Sequence, residues 1–251
     1  DWSSDVCSSD LADMAFAVKP RYAPWIDVFL CIEGPVVRQM QAVFLQDWMS
    51  YTGEDLGDML CMVPPVAAPG EIAQVVATGP DSRNGSLSDS MTTMIYAARR
   101  KLTITTPYYV PGSDLDSAIR TAARSGIDVT MILPARNDSL IVQATSEGFY
   151  YGLVKAGVKL MLFEGGLLHA KIISVDDEMV MLGSANMDRR SFELNYEMNM
   201  LFVGGDLTEL LEQRQQTYIE RARPIDLSDI RGWSVWRRLR NNLLALAAPI
   251  L

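Results

Sequence analysis

The residue types best suited to chemistry gather between positions 169 and 186. They read His169-Ala-Lys171-Ile-Ile-Ser-Val-Asp176, then six residues, then Gly183-Ser184-Ala185-Asn186. His169 is the sole histidine among 251 residues. It stands two positions before a lysine in a β-branched run, so both side chains should leave one face of a strand. An imidazole beside an ammonium suits a phosphate, because the ring can move protons while the cation meets phosphoryl oxygens. A two-residue hairpin tip at Asp177-Glu178 pairs Asp176 with Met179, which sets Asn186 opposite His169 and Ser184 opposite Lys171. These polar groups then share one surface. The same parity sends Asp176 to the other face, where a structural role suits it better than orienting His169.

The pattern H-x-K-x4-D-x6-G-S-x-N resembles the signature of the phospholipase D superfamily and matches it at every defined position. An ordinary amphipathic hairpin with a stray histidine has no need of so many fixed positions. Other stretches extend the likeness over nearly everything after Leu11. ITTPYYVP (104–111), GIDVTMILPARND (126–138), Tyr150-Tyr151 and the AGVKLMLFEGGLLHAK run, and GSANMDRRSFELNYEMN (183–199) look like the second half of a bacterial cardiolipin synthase. IEGPVVRQMQAVFLQDW (32–48) resembles the end of its first half.

The resemblance implies an α/β fold, a phospholipase D-like mixed sheet flanked by helices, with the second half complete and the first half truncated. It also implies a pair of such motifs meeting at one site, with one histidine forming a phosphatidyl-histidine intermediate. The other protonates the leaving alkoxide and then deprotonates the acceptor alcohol. By that analogy the first-half histidine is the nucleophile and His169 the general acid/base. Lys171 and Asn186 hold the nonbridging oxygens and Ser184 lines the same cradle, with no metal and no cofactor. Asp176 completes the motif. Glu197 looks like the acidic residue that superfamily members often carry on the strand after G-S-x-N, and is expected to fix the tautomer of His169. Asp27 is its expected counterpart for the absent histidine. Tyr108 and Tyr109 either line the lipid pocket or form a core aromatic pair.

The implied reaction moves a phosphatidyl group from one phosphatidylglycerol to another and releases glycerol. The competing readings are a hydrolytic phospholipase D or nuclease, and a noncatalytic membrane-associating module. Implied partners are phosphatidylglycerol, other anionic phospholipids and the membrane surface, and the implied location is the bacterial inner membrane. A formal net charge of -9 argues against a nucleic-acid partner, since that affinity comes from clustered Lys and Arg. Cysteines at 7, 31 and 61 have no metal-ligand spacing, so a reducing cytoplasm is the default and Cys31 and Cys61 read as plain small hydrophobes.

Residues 1–11, DWSSDVCSSDL, are expected to be translated sequencing adaptor, because a common short-read adaptor translates in frame to this decapeptide and the start of a Leu codon. Native protein then begins near Leu11 or Ala12, and the usual N-terminal membrane helices precede it in the parent.

The elements that must hold the motif alternate. Residues 12–50 read as the end of the first half, with a strand at 27–32 and a helix beyond Gly34-Pro35. Residues 51–72 read as a linker. Residues 73–225 form the second half: strands at 73–78, 102–106, 127–133 and 158–163 alternate with helices at 86–100, 114–125 and 139–156. The motif hairpin follows, then a short helix capped by Asp188, a strand at 195–203 and a helix from 206 to about 221. Glu197–Gly204 aligns by eye with Asp27–Gly34 at an offset of 197 − 27 = 170, which puts the histidine matching His169 at position −1 or earlier.

Residues 226–251 form an amphipathic C-terminal segment. Trp233, Trp236, Leu239, Leu243 and Leu246 recur at helical spacing among arginines, and no acid follows Asp229. Such a helix suits an anionic membrane surface, or it docks on the domain itself. No apolar run reaches the ~18 residues needed to span a bilayer.

Overall fold

The computed structural model describes residues 24–60, 70–80, 83 and 85–246. The adaptor-like stretch 1–11, residues 12–23 of the expected first-half end, linker residues 61–69 with Cys61, and residues 247–251 lie outside the described residues. In chain order the elements begin with β1 (Trp25–Ile26), α1 (Val37–Thr52), α2 (Gly57–Leu60), β2 (Ile72–Thr78), α3 (Ser86–Ala97), β3 (Lys101–Thr105) and β4 (Tyr109–Val110). Next come α4 (Ser113–Arg124), β5 (Asp128–Pro134), α5 (Leu140–Ala156), β6 (Lys159–Phe163), β7 (Leu167–Leu168), β8 (Ile172–Val175) and β9 (Met179–Gly183). The chain closes with β10 (Met187–Asp188), α6 (Arg189–Glu193), β11 (Glu197–Val203), α7 (Asp206–Glu220), β12 (Ala222–Ile225), α8 (Leu227–Gly232) and α9 (Val235–Leu246).

Eight strands make one mixed sheet in the order β12-β6-β5-β3-β8-β9-β11-β2. β3, β5 and β6 run parallel, as strand-helix-strand crossovers require, and the remaining pairs are antiparallel. The central strands are near-continuous apolar runs because both faces are covered. Val129, Met131 and Leu133 of β5 pack with residues of α3, α4 and α5, whereas Ile132 packs on the opposite face with Leu211 and Tyr218 of α7. Met40 of α1 packs with Met200 and Phe202 of β11 in a further cluster. This is the mixed sheet between helices that the alternating pattern predicts.

Two local expectations need correction, and one strand has no signal in the sequence. The strand expected at 27–32 does not form: only β1 pairs, parallel to β7, and that partner is two residues long. Val28 and Ile32 still turn inward, and this alternation leaves Cys31, read as a small hydrophobe, exposed. The helix expected through residue 100 stops at Ala97, because the amides of Arg99, Arg100 and Lys101 are given to the Asp176 carboxylate. β12 has no period-2 signal, and its Pro224 is tolerated because an edge strand has a side that needs no donor.

The hairpin turn differs as well. Val175, not Asp176, pairs with Met179, so three residues form the loop and the register is one residue away from the expected one. Asp176 and Asp177 hold φ of 56° and 65°, the left-handed region that aspartate tolerates better than most residues. Lys101 anchors the loop, with Nζ 3.1 Å from Asp177 and 3.3 Å from Glu212 of α7.

Burial, then the hydrogen bond and charge of Asp177, outweigh Lys101 and push the Glu212 carboxyl up to about 7. The folded chain therefore keeps a proton there that the unfolded chain releases near pH 4.5, so this group costs stability as pH rises from about 4.5 to about 7. Thermal unfolding of Glu212→Gln across that window should show a flatter pH dependence than the parent. An identical slope would mean that the acid pair is not shared.

The C-terminal helix α9 docks on α5 through its polar side. Arg237 forks onto the buried Glu147 at 3.0 and 2.9 Å, and Asn241 donates to the same carboxylate at 2.6 Å. The helices approach closely at Gly148, where a Cβ would lie 2.6 Å from that of Ala245. Trp233 is half-buried beneath the Arg237 guanidinium, 4.0 Å from ring centre to cation, and beside Tyr150.

Candidate active site

His169 lies between β7 and β8, where its amide donates to the Ile26 carbonyl at 2.7 Å and so ties the imidazole to the 24–26 segment. The ring is 2% exposed and rests against Trp25, with centroids 4.2 Å apart. Lys171 Nζ stands 2.7 Å from Nδ1 and 2.9 Å from Nε2, so the pair that the spacing predicts on one strand face is together. Both side chains are buried.

The carboxylate at the ring is not the expected one. Asp27 Oδ2 lies 3.1 Å from His169 Nδ1, with both side chains 3% exposed. Burial alone would raise the Asp27 carboxyl. The hydrogen bond with His169, the charge of Lys171 and the Val28 amide at 2.9 Å outweigh burial and hold it below the usual carboxylate value. With its proton on Nδ1 the ring donates to Asp27, and Nε2, 2.9 Å from the Lys171 ammonium, is the nitrogen that can exchange a proton. Glu197, the expected partner, instead accepts from Ser184 Oγ and from Asn195 Nδ2 at 3.2 Å. Sequence position pairs Asp27 with a different histidine, and the fold brings it to this one.

The Gly183-Ser184-Ala185-Asn186 segment leaves the sheet at the His169 end, since the Gly183 amide donates to the Lys171 carbonyl at 3.4 Å. Gly183 is required for space: a Cβ there would sit 2.5 Å from Asn199 Cα and from the Met198 carbonyl oxygen, where β9 meets β11. Ser184 Oγ also accepts the Met198 amide at 3.0 Å. The Asn186 amide nitrogen donates to Ser191 Oγ at 3.1 Å. Asn186 Oδ1 is buried with no hydrogen-bond partner among the described residues, which leaves it available to a hydroxyl or amine. The one-residue register change puts Gly183 rather than Ser184 across from Lys171, so the expected pairing of Ser184 with Lys171 and of Asn186 with His169 does not form.

Asp176 is not brought to His169. It lies at the far end of β8, where its carboxylate accepts from the amides of Arg99, Arg100 and Lys101 at 2.7, 2.8 and 2.8 Å. Burial opposes ionisation, but these three donors overcome it and hold the carboxyl below its ordinary value.

The two tyrosines divide the alternatives between them. Tyr109 is fully buried against Phe149 and donates to Asp116 at 2.9 Å. Tyr108 stands edge-on to His169 with ring centres 6.2 Å apart and donates to Asp138 at 2.9 Å, at the border of the site. Trp25 had no signal in the sequence as a site residue. Its contact depends on pairing between segments far apart in the chain. Among the described residues no group of three or more His, Cys, Asp or Glu is gathered as metal ligands would be.

Comparison with known proteins bears on the family and the fold. Residues 91–218 match the family described as cardiolipin synthase, PLD-like domain. Cardiolipin synthase A of Cronobacter sakazakii is 39% identical over 93% of this chain and 50% of its own length. That of Klebsiella pneumoniae is 38% identical with the same coverage. The chain thus spans about half the length of the curated relatives it matches. Among solved structures, the phospholipase D family member Nuc of Salmonella typhimurium is similar with a TM-score of 0.54 at 19% identity, covering 62% of this chain and 99% of its own. A phosphatidylserine synthase of Haemophilus influenzae is similar with a TM-score of 0.54 at 17% identity, covering 71% of this chain and 45% of its own. At those identities the likeness is one of fold.

Proposed function

Because the chain belongs to the cardiolipin synthase, phospholipase D-like domain family, we propose that it supplies one half of the site of a phosphatidyltransferase that joins two phosphatidylglycerol molecules. The observation that carries the proposal is the buried Asp27-His169-Lys171 cluster, which combines an oriented imidazole with a cation.

In the first half-reaction a nitrogen of a second histidine attacks the phosphorus of a phosphatidylglycerol. The bond from phosphorus to the glycerol oxygen breaks, and His169 gives its Nε2 proton to that oxygen. Lys171 balances the charge on the nonbridging oxygens, and Asn186 donates to them through its side-chain Nδ2. In the second half-reaction the hydroxyl of another phosphatidylglycerol attacks the same phosphorus, loses its proton to His169 and releases the histidine. Cardiolipin and glycerol are the products.

These 251 residues hold one histidine, so the nucleophile comes from a first half that is not in this sequence. Since Asp27 belongs to the first-half repeat yet serves His169, its counterpart Glu197 is assigned the reciprocal task of orienting that other imidazole, and Ser184 holds Glu197 in place. The acceptor site faces the cytoplasmic membrane of a bacterium in this reading.

The test is a transfer assay with headgroup-labelled phosphatidylglycerol. Residues 12–251 alone should release no glycerol and form no cardiolipin, and joining them to a first half that bears its own motif should restore both. Turnover by a monomer of the chain alone would refute the two-half reading. Phosphatidic acid as the main product of the joined protein would replace transfer with hydrolysis.

A further inference from the structure

Helix α9 is oriented the wrong way round for an ordinary surface helix. Its polar residues Arg237 and Asn241 point into the domain, where they bind the buried Glu147. Its apolar residues Val235, Trp236, Leu239, Leu243 and Leu246 point out, with Trp236 80% and Leu246 79% exposed. At 3.6 residues per turn these five fall within about 100° of arc, one continuous stripe. Arg240 borders the stripe on one side and Arg238 and Asn242 on the other, all exposed.

We propose that this stripe is a docking surface for anionic phospholipid headgroups and the acyl region just beneath them, so that α9 lies in the membrane interface and holds the catalytic half against its substrate. Charge selects that occupant. The whole chain carries a formal net charge of -9, yet no acid follows Asp229; the exposed Arg238 sits where its stem can run along acyl chains while its guanidinium reaches phosphates, and Arg240, which donates to Asn241 Oδ1 at 3.1 and 2.9 Å, adds its positive charge beside the stripe. A tryptophan at the same level suits the headgroup boundary. The helix has 12 residues, about 18 Å, so it lies along the surface and does not cross it. The polar contact with Glu147 explains how it stays folded with its apolar side outward: a forked ion pair onto that buried carboxylate fixes the rotation of the helix about its axis.

The choice of lipid as occupant rests on the phospholipid reading of the active site, but the binding itself is measured without turnover. The experiment is sedimentation of the full chain with vesicles of phosphatidylcholine alone and of equal parts phosphatidylcholine and phosphatidylglycerol. The parent should bind the mixed vesicles at least tenfold better than the neutral ones. Leu239→Ser/Leu243→Ser/Leu246→Ser should lower binding to both by about tenfold or more. Arg238→Gln/Arg240→Gln should lose most of the preference for phosphatidylglycerol. The leucines and Arg238 are exposed, so the leucine variant and Arg238→Gln alone should keep the parent's melting temperature, and Arg238→Gln alone separates loss of charge from loss of the Arg240 bond to Asn241.

Equal binding of parent and variants would overturn the proposal. So would self-association of the parent that the Leu→Ser changes abolish, since the stripe would then be covered by a second copy. His169→Ala should leave vesicle binding intact. Failure of the transfer chemistry with vesicle binding preserved would sink the active-site reading alone, and the reverse pattern would sink this one alone.

Discussion

Replacing His169 by alanine in the two-half enzyme should lower cardiolipin formation from phosphatidylglycerol by about 10³-fold or more, the upper part of the range for a positioned acid/base. The reason is the leaving group: a glycerol alkoxide is expelled slowly unless a proton reaches it as the bond to phosphorus breaks. That gives a sharper test than loss of activity. With a phosphatidyl ester of p-nitrophenol, whose anion leaves unaided, His169→Ala should regain most of the first half-reaction, seen as a burst of p-nitrophenolate. Equal damage with both substrates would make His169 the nucleophile and reverse the roles of the two histidines. Asp27→Asn should retain the ring but not its charge partner, and should lower turnover by about 10–10²-fold while leaving substrate affinity nearly unchanged. Asp27 carries the depressed carboxyl, so its negative charge is present at neutral pH and is lost as pH falls through the lowered value. The parent should therefore lose activity on the acid side through a step that Asp27→Asn lacks.

How much of this could be read from the residues follows from the range of each interaction. The motif is local: His169 and Lys171 are two positions apart, and a strand puts them together whatever surrounds them. The alternating sheet is local too, because each element declares its own period. Asp27 could not be assigned in the same way. Its repeat position matches Glu197, but its partner stands 142 residues along the chain, and only the pairing of β1 with β7 brings them together. The C-terminal helix shows a similar limit. Spacing reveals an apolar stripe, but which side faces the domain is decided by Glu147, 90 residues before Arg237. The instinct that apolar residues turn inward fails there because a buried carboxylate needs its cation more than the helix needs its leucines covered. The hairpin register failed for the most instructive reason, since nothing within Asp176-Asp177-Glu178 marks a three-residue loop.

That loop is set by Asp176, and its loss is the second large effect expected. Asp176→Ala removes a charged acceptor from three backbone amides at once and strands them at the junction of α3 and β3. Hydrogen bonds to a charged group contribute about 1.5–3 kcal/mol each, but the residue is near the surface and water recovers part, so a net loss of about 4 kcal/mol is expected. For a chain of this size that is a fall in melting temperature of about 10 °C. Alanine also sits badly at a φ of 56°. Asp176→Gly separates the two causes: it relieves the backbone and should recover about 1 kcal/mol, leaving the larger part due to the amides. The sign with pH follows from the depressed carboxyl of Asp176, whose contribution is complete above about pH 4 and disappears as pH falls through the lowered value. The parent should therefore destabilise more steeply in acid than Asp176→Ala, and parallel acid limbs would remove the charge from the account. The consequence for chemistry is indirect and large. A hairpin freed to close with a two-residue tip would shift by one position, and a one-residue slip exchanges every side chain between the faces of a strand. Because β8 stays paired with β3, the strand that shifts is β9, and the Gly183–Asn186 segment would move relative to His169 and Lys171 while the motif remained intact in sequence. Asp176 therefore acts on catalysis through the register of the ribbon that carries the imidazole, and its variants should lose the active fraction of molecules without altering the pH profile of those that remain active.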